Sequence, residues 1–343
     1  MATAYLQAQF ESTPGNETNT PTLSTKTIYI PLQSFETQLN PSPLDRNDEL
    51  RGVDEPISFL TDTYDPSWSL STRAYPDPLG FLFKNALGAP TTTAGNGVIT
   101  DPDSTVIPTG ATKHVWTAPF GPSGNYPQTS QLQASYKDQS VAFKHKGAAV
   151  ESIEIANPDT GGVTLNVGGK SLYKTRISEP GLTPSYESLD TAPFLKAFLT
   201  NATWLSSSGT ATDLSLRCEV PVEPTHTLGT ASRYPNLMFK GDGPIRFTGS
   251  VTLRDLTSAD YDALLNLTGF AVKLRWQSTV VIGSTSYKYT LWFQALNAQY
   301  TGGGPEPLGN KRIHGASFDW AATYTGSAGS TTVTLCNNVT SYA

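Results

Sequence analysis

The sequence predicts a mainly β protein: an antiparallel β-sandwich or barrel with one or two short helices and long loops. Apolar and polar residues alternate along many short segments, which is the period of a strand with one buried face. Gly (29) and Pro (25) are abundant, and charged residues make up only 15% of the 343 residues. This composition is typical of all-β chains with many turns. The length is sufficient for one large domain or two ordinary ones.

The clearest pattern lies in residues 241–301, which predict a strand, a short helix and a strand hairpin. Residues 256–269 predict the helix, because Thr257 or Ser258 is a suitable N-cap and Gly269 is a suitable terminator. Strict alternation on either side of this helix predicts half-buried strands. These strands are expected at 245–253, 270–281 and 286–296, with a hairpin turn at Gly283-Ser284 between the last two.

The remaining elements are predicted from the same patterns: apolar residues on alternate positions for strands, and apolar residues three or four apart for helices. A helix is predicted over 76–87, since Pro78 stands near its start, apolar residues recur on one face and Gly88 ends it. Residues 193–201 predict a further short helix. We expect Gly168-Gly169 to form a turn between two strands. Further strands are predicted at 27–32, 67–75, 131–145, 147–155, 163–167, 171–177, 214–220, 314–325 and 331–339.

Two stretches show no apolar period. Residues 1–26 are polar and rich in Thr, so we expect an extended N-terminal arm that becomes ordered against a partner. Residues 89–130 are rich in Gly, Pro and Thr, and a structureless loop of this length indicates a function other than ordinary packing. The predicted organisation is therefore an arm at 1–26 and a single β domain at 27–343, with a long loop insertion at about 89–130.

The charge balance argues against a nucleic-acid-binding protein. The formal net charge is −6, so the basic footprint of such proteins is absent. Three lysines, Lys137, Lys144 and Lys146, follow a strand pattern, and we expect them on a solvated face.

The chain shows no signal for secretion or membrane insertion. Residues 1–10 lack the basic start and apolar run of a signal peptide, and no segment reaches the length of a membrane span. We therefore expect synthesis in a cytoplasm and no glycosylation. We expect Cys218 and Cys336 to be two buried thiols, with a disulfide between them as the alternative.

The residues offer no catalytic, cofactor-binding or metal-binding constellation, so we predict that the protein is not an enzyme. Glu151 and Glu154 lie three apart on one predicted strand, which points them to opposite faces and excludes a shared hydrolytic site. None of the histidines has a second ligand at metal-binding spacing. The four histidines are His114, His145, His226 and His314.

Two further patterns have structural interpretations. Gly168-Gly169-Lys170-Ser171 is similar to the end of a phosphate-binding loop, but Thr164 stands where that motif needs its first glycine. Four tryptophans lie within alternating strands, where packing in the core is the expected role. They are Trp68, Trp276, Trp292 and Trp320.

The order of these elements resembles the tail tube proteins (major tail proteins) of long-tailed bacteriophages. In that family a helix containing proline and leucine precedes a barrel-like sandwich, and a glycine-led strand, a short helix and closing strands follow. The resemblance covers roughly residues 28–325. Three segments carry it: Tyr75-Pro76-Asp77-Pro78-Leu79-Gly80 to Leu87-Gly88; Lys146-Gly147-Ala148-Ala149-Val150-Glu151-Ser152-Ile153-Glu154-Ile155; and Gly249-Ser250-Val251-Thr252-Leu253 running into Asp260-Tyr261-Asp262-Ala263-Leu264-Leu265.

The resemblance implies a structural protein of the virion tail, made in the cytoplasm of a host bacterium. Tail tube subunits join their sheets into rings, usually of six, and the rings stack around a tape measure protein. Genomic DNA later passes through the tube, and tail terminator and tip proteins complete the tail. The implied partners are therefore further copies of the chain and these tail proteins, with DNA only as passing cargo and without a membrane.

The chain is longer than a minimal tube subunit, and the insertion at 89–130 accounts for part of the excess. We expect this loop to contact the next ring, or alternatively to decorate the outside. A duplicated subunit that forms rings of three is a further alternative. An all-β adhesin, a glycan-binding protein or a decoration protein remains the other function class, for which exposed aromatic residues of the loop would be the binding residues. The candidates are Trp116, Phe120 and Tyr126.

Overall fold

A computed structural model describes residues 4–11, 28–44, 60–120, 127–136, 141–158, 162–178, 193–194, 203–204, 210–227, 232–254, 258–305, 315–326 and 329–342. These residues form 21 strands and two helices, and every strand pairing within them is antiparallel. The predicted mainly β class, with few helices, is confirmed.

The helices are α1 (Pro76–Leu87) and α2 (Ser258–Leu265). The strands are β1 (Ala4–Phe10), β2 (Ile28–Pro31), β3 (Ser34–Gln38), β4 (Pro41–Leu44), β5 (Leu60–Tyr64), β6 (Ser67–Arg73), β7 (Thr91–Ala94), β8 (Thr112–Thr117), β9 (Ser130–Tyr136), β10 (Val141–Asn157), β11 (Thr164–Lys170), β12 (Tyr173–Ser178), β13 (Thr203–Trp204), β14 (Thr210–Glu219), β15 (Val222–Thr225), β16 (Leu237–Lys240), β17 (Arg246–Arg254), β18 (Phe270–Val281), β19 (Lys288–Pro305), β20 (Gly315–Ala322) and β21 (Thr331–Asn337).

Strand β10 joins two sheets, because its two halves have different partners. Its first half pairs with β9 and β12, and its second half pairs with β11 and β14. The change occurs at Gly147, where the register with β9 shifts and φ is +61°. Glycine adopts this left-handed conformation without the steric cost that other residues have. The Gly147 N–H donates to the Glu11 carboxylate over 2.9 Å, which replaces the missing ladder bond.

The first sheet has the order β2-β1-β9-β10-β12, and the second continues from β10 in both directions. On one side it runs through β11 and β6 to β3, and on the other through β14, β17 and β20 to β19. The long β19 pairs with β18 along one edge and with β21 along the other. Beyond β21 the sheet continues through β8 to β7. Two short hairpins, β4–β5 and β15–β16, lie outside these sheets.

The N-terminal segment differs from the predicted arm. Strand β1 lies between β2 and β9, and Leu6 and Ala8 are fully buried. Residues 4–10 are therefore a strand paired on both sides within their own sheet, and Gln7 between Leu6 and Ala8 is buried as well. Residues 12–27 lie outside the described part of the chain.

The predicted loop at 89–130 is also not structureless. It contains β7 and β8, and β8 pairs with the C-terminal strand β21. The burial of Thr112, His114 and Trp116 alternates with the intermediate residues between them, so a short strand period was present in the sequence. The predicted strand hairpin and helices in 245–296 and 76–87 are confirmed by β17, α2, β18, β19 and α1. The helix predicted at 193–201 lies, apart from Pro193 and Phe194, outside the described residues.

Helix α1 closes one end of the core and is fixed to both sheets by a buried amide. The Asn85 side chain accepts a hydrogen bond from the Val150 N–H at 2.7 Å and donates to the Ala148 carbonyl and to the Ser130 hydroxyl. The Trp116 indole N–H donates to the Gly88 carbonyl at 2.9 Å, directly after the helix. These bonds satisfy polar groups that would otherwise be buried without partners.

Two tryptophans of the core lie flat against glycines on the neighbouring strand. Gly169 is opposite Trp68, and Gly249 is opposite Trp320. A Cβ atom at either glycine would come within 3 Å of the facing indole ring. The predicted turn at Gly168-Gly169 is therefore wrong. These residues belong to β11, and the missing Cβ of Gly169 makes space for a ring. Trp68, Trp276 and Trp320 lie in the core as predicted, and Trp292 is also fully buried, although on the opposite face of its strand.

Candidate assembly surfaces

His145 and the two cysteines lie in the interior of the protein. His145 is fully buried, and its Nδ1 is 2.8 Å from the Ser171 hydroxyl. Burial lowers the pKa of His145 to about 3, and the charge of Lys174 contributes. Cys218 and Cys336 are free and buried, as expected, and burial raises the pKa of Cys336 to about 12. Within the described ranges, no three His, Cys, Asp or Glu side chains are close enough to hold a metal ion.

The aromatic residues that would favour a glycan-binding surface are not exposed together. Trp116 is only 2% exposed and contacts Phe83 of α1. Phe120 is partly buried and packs against Phe247. Tyr126 lies outside the described residues. The expectation of an exposed cluster is thus wrong for Trp116 and Phe120, because both side chains complete the core.

A different aromatic cluster, which the sequence did not reveal, joins the two short hairpins to the first sheet. Tyr64 stacks on Tyr234 with ring centroids 5.0 Å apart, and Tyr173 lies 4.5 Å from Tyr234. The Tyr234 hydroxyl donates to the Lys174 carbonyl. These residues are far apart in the chain, so no local pattern indicates their contact.

Residues 95–111, here called the strap, connect β7 to β8 within the predicted insertion. The Gly95 N–H donates to the Ala111 carbonyl at 2.8 Å, so the two ends of the strap are adjacent. An antiparallel β-bridge between Thr100 and Val106 also joins the two sides of the strap. The Asp101 carboxylate accepts two backbone N–H groups of the strap itself. The strap is therefore a folded loop with its own hydrogen bonds.

Asp103 fixes the strap to the sheet. Its carboxylate contacts the Lys273 ammonium, accepts a hydrogen bond from the Trp292 indole N–H at 3.2 Å and lies 3.0 Å from the Arg275 guanidinium. Burial raises the pKa of Asp103, but hydrogen bonds from Lys273 and Trp292, together with the charges of Lys273 and Arg275, outweigh it. The pKa therefore lies below its usual value.

The strap covers the face of β18 and β19 that points away from the core. Trp292 lies on that face opposite Arg275, whereas its neighbours Leu291 and Phe293 point to the core, yet Trp292 is fully buried. A second contact holds the strap on this face: the Asp101 carboxylate accepts a hydrogen bond from the Tyr287 hydroxyl at 2.7 Å. On the other side of the strap, Val98 is 76% and Val106 is 48% exposed. The strap thus presents two apolar side chains to the outside.

Several strands have a free edge within the described part of the chain. Strands β2, β3, β7 and β12 each pair with a single strand there, and β18 is paired on its second side only where β13 meets Val272 and Lys273. Such edges carry unpaired backbone N–H and C=O groups that can bind another strand.

One of the three lysines predicted on a solvated face is buried. Lys144 is only 8% exposed, and its pKa is lowered by burial and by the charge of Lys146, while Glu11 opposes this shift. Lys146 is half-buried, with its ammonium group 5.8 Å from the centre of the Tyr173 ring. Lys137 lies outside the described residues.

The comparison with known families agrees with this architecture. A family model described as phage tail tube protein matches residues 1–322, nearly the whole chain. The chain belongs to this family. No curated protein shows significant similarity to it. The tail tube family implies a structural component of the phage tail that associates with itself into a tube. Among the described residues, no helix is long and apolar enough to cross a membrane.

The matched region ends before β21, which is nevertheless central to this tail tube protein. Strand β21 lies between β19 and β8, and Val333, Leu335 and Cys336 are buried. Through β8 it also holds the base of the strap. The strap and the C-terminal strand therefore form one structural unit.

Proposed function

We propose that this tail tube protein assembles into rings, usually of six subunits in the family that it resembles, and that the rings stack into the tube through which genomic DNA leaves the virion. The strand edges that are unpaired within the described residues carry this proposal. A long sheet with unpaired edges is a liability in a monomer, whereas pairing between subunits satisfies those backbone groups and closes a ring. A tape measure protein inside the tube and terminator and tip proteins at its ends are the further proposed partners.

The charge of the chain supports passage of DNA without binding. The net charge of −6 gives no excess of cations to neutralise phosphates. Binding of proteins to DNA depends mainly on such neutralisation. A wall of the same sign as the nucleic acid therefore lets it slide. The proposed role is structural and includes no enzymatic step.

We further propose that the strap contacts the neighbouring ring. Val98 and Val106 support this role because they are exposed apolar residues on a loop that Asp101 and Asp103 hold in a fixed position. A preorganised loop loses little conformational entropy when it binds. The alternative position, on the outside of the tube, predicts that these two valines are dispensable for assembly.

The experiment is a pair of substitutions, Val98→Asp and Val106→Asp, in the same chain. The strap keeps its hydrogen bonds, while charges replace the exposed apolar groups. We expect a folded subunit that forms rings but no long tubes in negative-stain electron microscopy. Normal tubes from this variant would show that the strap does not join rings. A second variant replaces residues 96–110 by Asn-Gly, which removes most of the strap and keeps the β7–β8 hairpin and the buried Trp116.

A further inference from the structure

Four exposed apolar side chains lie on three segments that are hydrogen-bonded to each other at one end of the β18–β19 hairpin. Among the described residues, seven large hydrophobic side chains are exposed, and four of them belong to this cluster. Leu265 is 69%, Leu267 is 59%, Leu296 is 65% and Tyr324 is 61% exposed. We call this set the Leu/Tyr patch. Scattered exposed apolar residues are normal on a monomer, but a contiguous group marks an interaction surface.

Hydrogen bonds near Asn297 connect the three segments that carry the Leu/Tyr patch. The Asn297 carbonyl accepts a bond from the Thr323 N–H at 2.9 Å, next to Tyr324, and Leu296 precedes Asn297. The Gln299 side chain donates to the Leu267 carbonyl at 2.8 Å. The three segments that carry the patch are thus fixed relative to each other before any partner binds.

The surroundings of the patch have no charge over long stretches of sequence. Residues 263–272, 289–305 and 320–343 contain no Asp, Glu, Lys or Arg, although 15% of the chain is charged. The charged residues that flank these segments are Asp262, Lys273, Lys288, Glu306 and Asp319, and Lys273 is paired with Asp103. Depletion of charge at an apolar centre is typical of interfaces between proteins.

Leu267 also has an unfavourable backbone conformation. Its φ is +49°, in the position directly after α2 where glycine or asparagine usually ends a helix. A leucine is rare there, because its Cβ clashes with the backbone in the left-handed region. The conformation ends α2 by letting the Thr268 N–H donate to the Ala263 carbonyl at 3.0 Å, and it leaves the apolar Leu267 side chain exposed.

We propose that the Leu/Tyr patch is a docking surface for a second copy of this chain, a proposal that rests on assembly into a tube. Nucleic acid and lipid headgroups require cationic groups, which these segments do not contain. An uncharged surface with exposed leucines and a tyrosine instead matches an equally uncharged protein surface. In a virion built from many copies of one chain, each copy offers such a surface to its neighbour.

The test compares assembly of the full chain with that of Leu267→Asp/Leu296→Asp. Asn166→Asp is the control, because it adds a charge of the same sign at an exposed position of β11. Analytical ultracentrifugation and negative-stain microscopy give the concentration at which rings or tubes appear. We expect this concentration to rise at least tenfold for the double variant and to stay unchanged for the control. Equal assembly of all three proteins would overturn the proposal and leave the tube function intact.

A second variant separates assembly from folding. Leu267→Gly removes the side chain and relieves the backbone, since glycine adopts a positive φ freely. We expect a thermal midpoint no lower than that of the unchanged chain, together with weaker assembly. A variant that assembles as readily as the unchanged chain would contradict the docking role. A wild-type chain that forms no rings or tubes at any concentration would overturn both this proposal and the tube function.

Discussion

Substitution of Gly249 by Ala tests how closely the sheet packs around its tryptophans. Gly249 lies in β17, opposite Trp320 of β20. A Cβ atom at this position would lie 2.1 Å from the Ser215 carbonyl oxygen and 2.7 Å from the Trp320 ring. Both distances are far below van der Waals contact. The Ser215 oxygen belongs to the backbone of the adjacent β14, so neither neighbour can move without shifting a strand or a fully buried indole.

The expected loss of stability follows from two opposing effects. Overpacking a close-packed core costs about 1–3 kcal/mol, and the upper end applies where the backbone must move. Replacing glycine by alanine also reduces the entropy of the unfolded chain, which contributes about 0.4–1 kcal/mol in the opposite direction. The steric cost is larger. We therefore expect Gly249→Ala to lower the free energy of unfolding by about 2 kcal/mol.

Urea unfolding of the unassembled subunit, followed by tryptophan fluorescence, measures this difference. Gly304→Ala is the matched control, because a Cβ atom at Gly304 in β19 would have no atom within 4 Å. It makes the same chemical change in an open position, and we expect equal or slightly higher stability. If Gly249→Ala proved as stable as Gly304→Ala, the packing of Trp320 against a bare backbone would not be a constraint on this sheet.

Three further predictions concern buried polar groups. The pKa of His145 falls from 6.5 to about 3 on folding, so protonation favours the unfolded chain below pH 6.5. The free energy of unfolding should therefore fall by about 3 kcal/mol from this residue between pH 7 and pH 4, and His145→Gln should remove that part of the decrease in urea unfolding at both pH values. Asp103→Asn removes the charge that pairs with Lys273 and Arg275. It should lower the free energy of unfolding by about 1–2 kcal/mol and speed proteolysis within the strap. A cleavage rate equal to that of the unchanged chain would contradict the role of Asp103 in fixing the strap. Asn85→Ala removes three buried hydrogen bonds and should cost about 3 kcal/mol in the same unfolding assay, whereas a loss below about 1 kcal/mol would show that α1 is held by apolar packing alone.

The sequence was informative where a local period decides the structure. Alternation over 245–253 and 270–296 predicted β17, β18 and β19. The apolar stripe of 76–87 predicted α1, although the helix is buried on nearly all sides and not on that stripe alone. The glycines at 168–169 were misleading. Their usual role is in turns, and only the partner strand shows that Gly169 faces Trp68.

The candidate surfaces depend on contacts between distant parts of the chain. Asp103 and Lys273 are 170 residues apart, so nothing near residue 103 indicates that the strap folds onto β18. The same holds for the Leu/Tyr patch, whose members become neighbours only through the bonds around Asn297. Absence of charge in 320–343 was visible in the sequence. Exposure of its tyrosine at 324 was not.

Assembly into a tube is the central claim, and negative-stain electron microscopy of the purified chain at rising concentration tests it most directly. The account predicts rings of uniform diameter that give way to hollow tubes of the same width as concentration increases. Top views of the rings also count the subunits. A chain that stays monomeric at every concentration, or that forms only irregular aggregates, would contradict it.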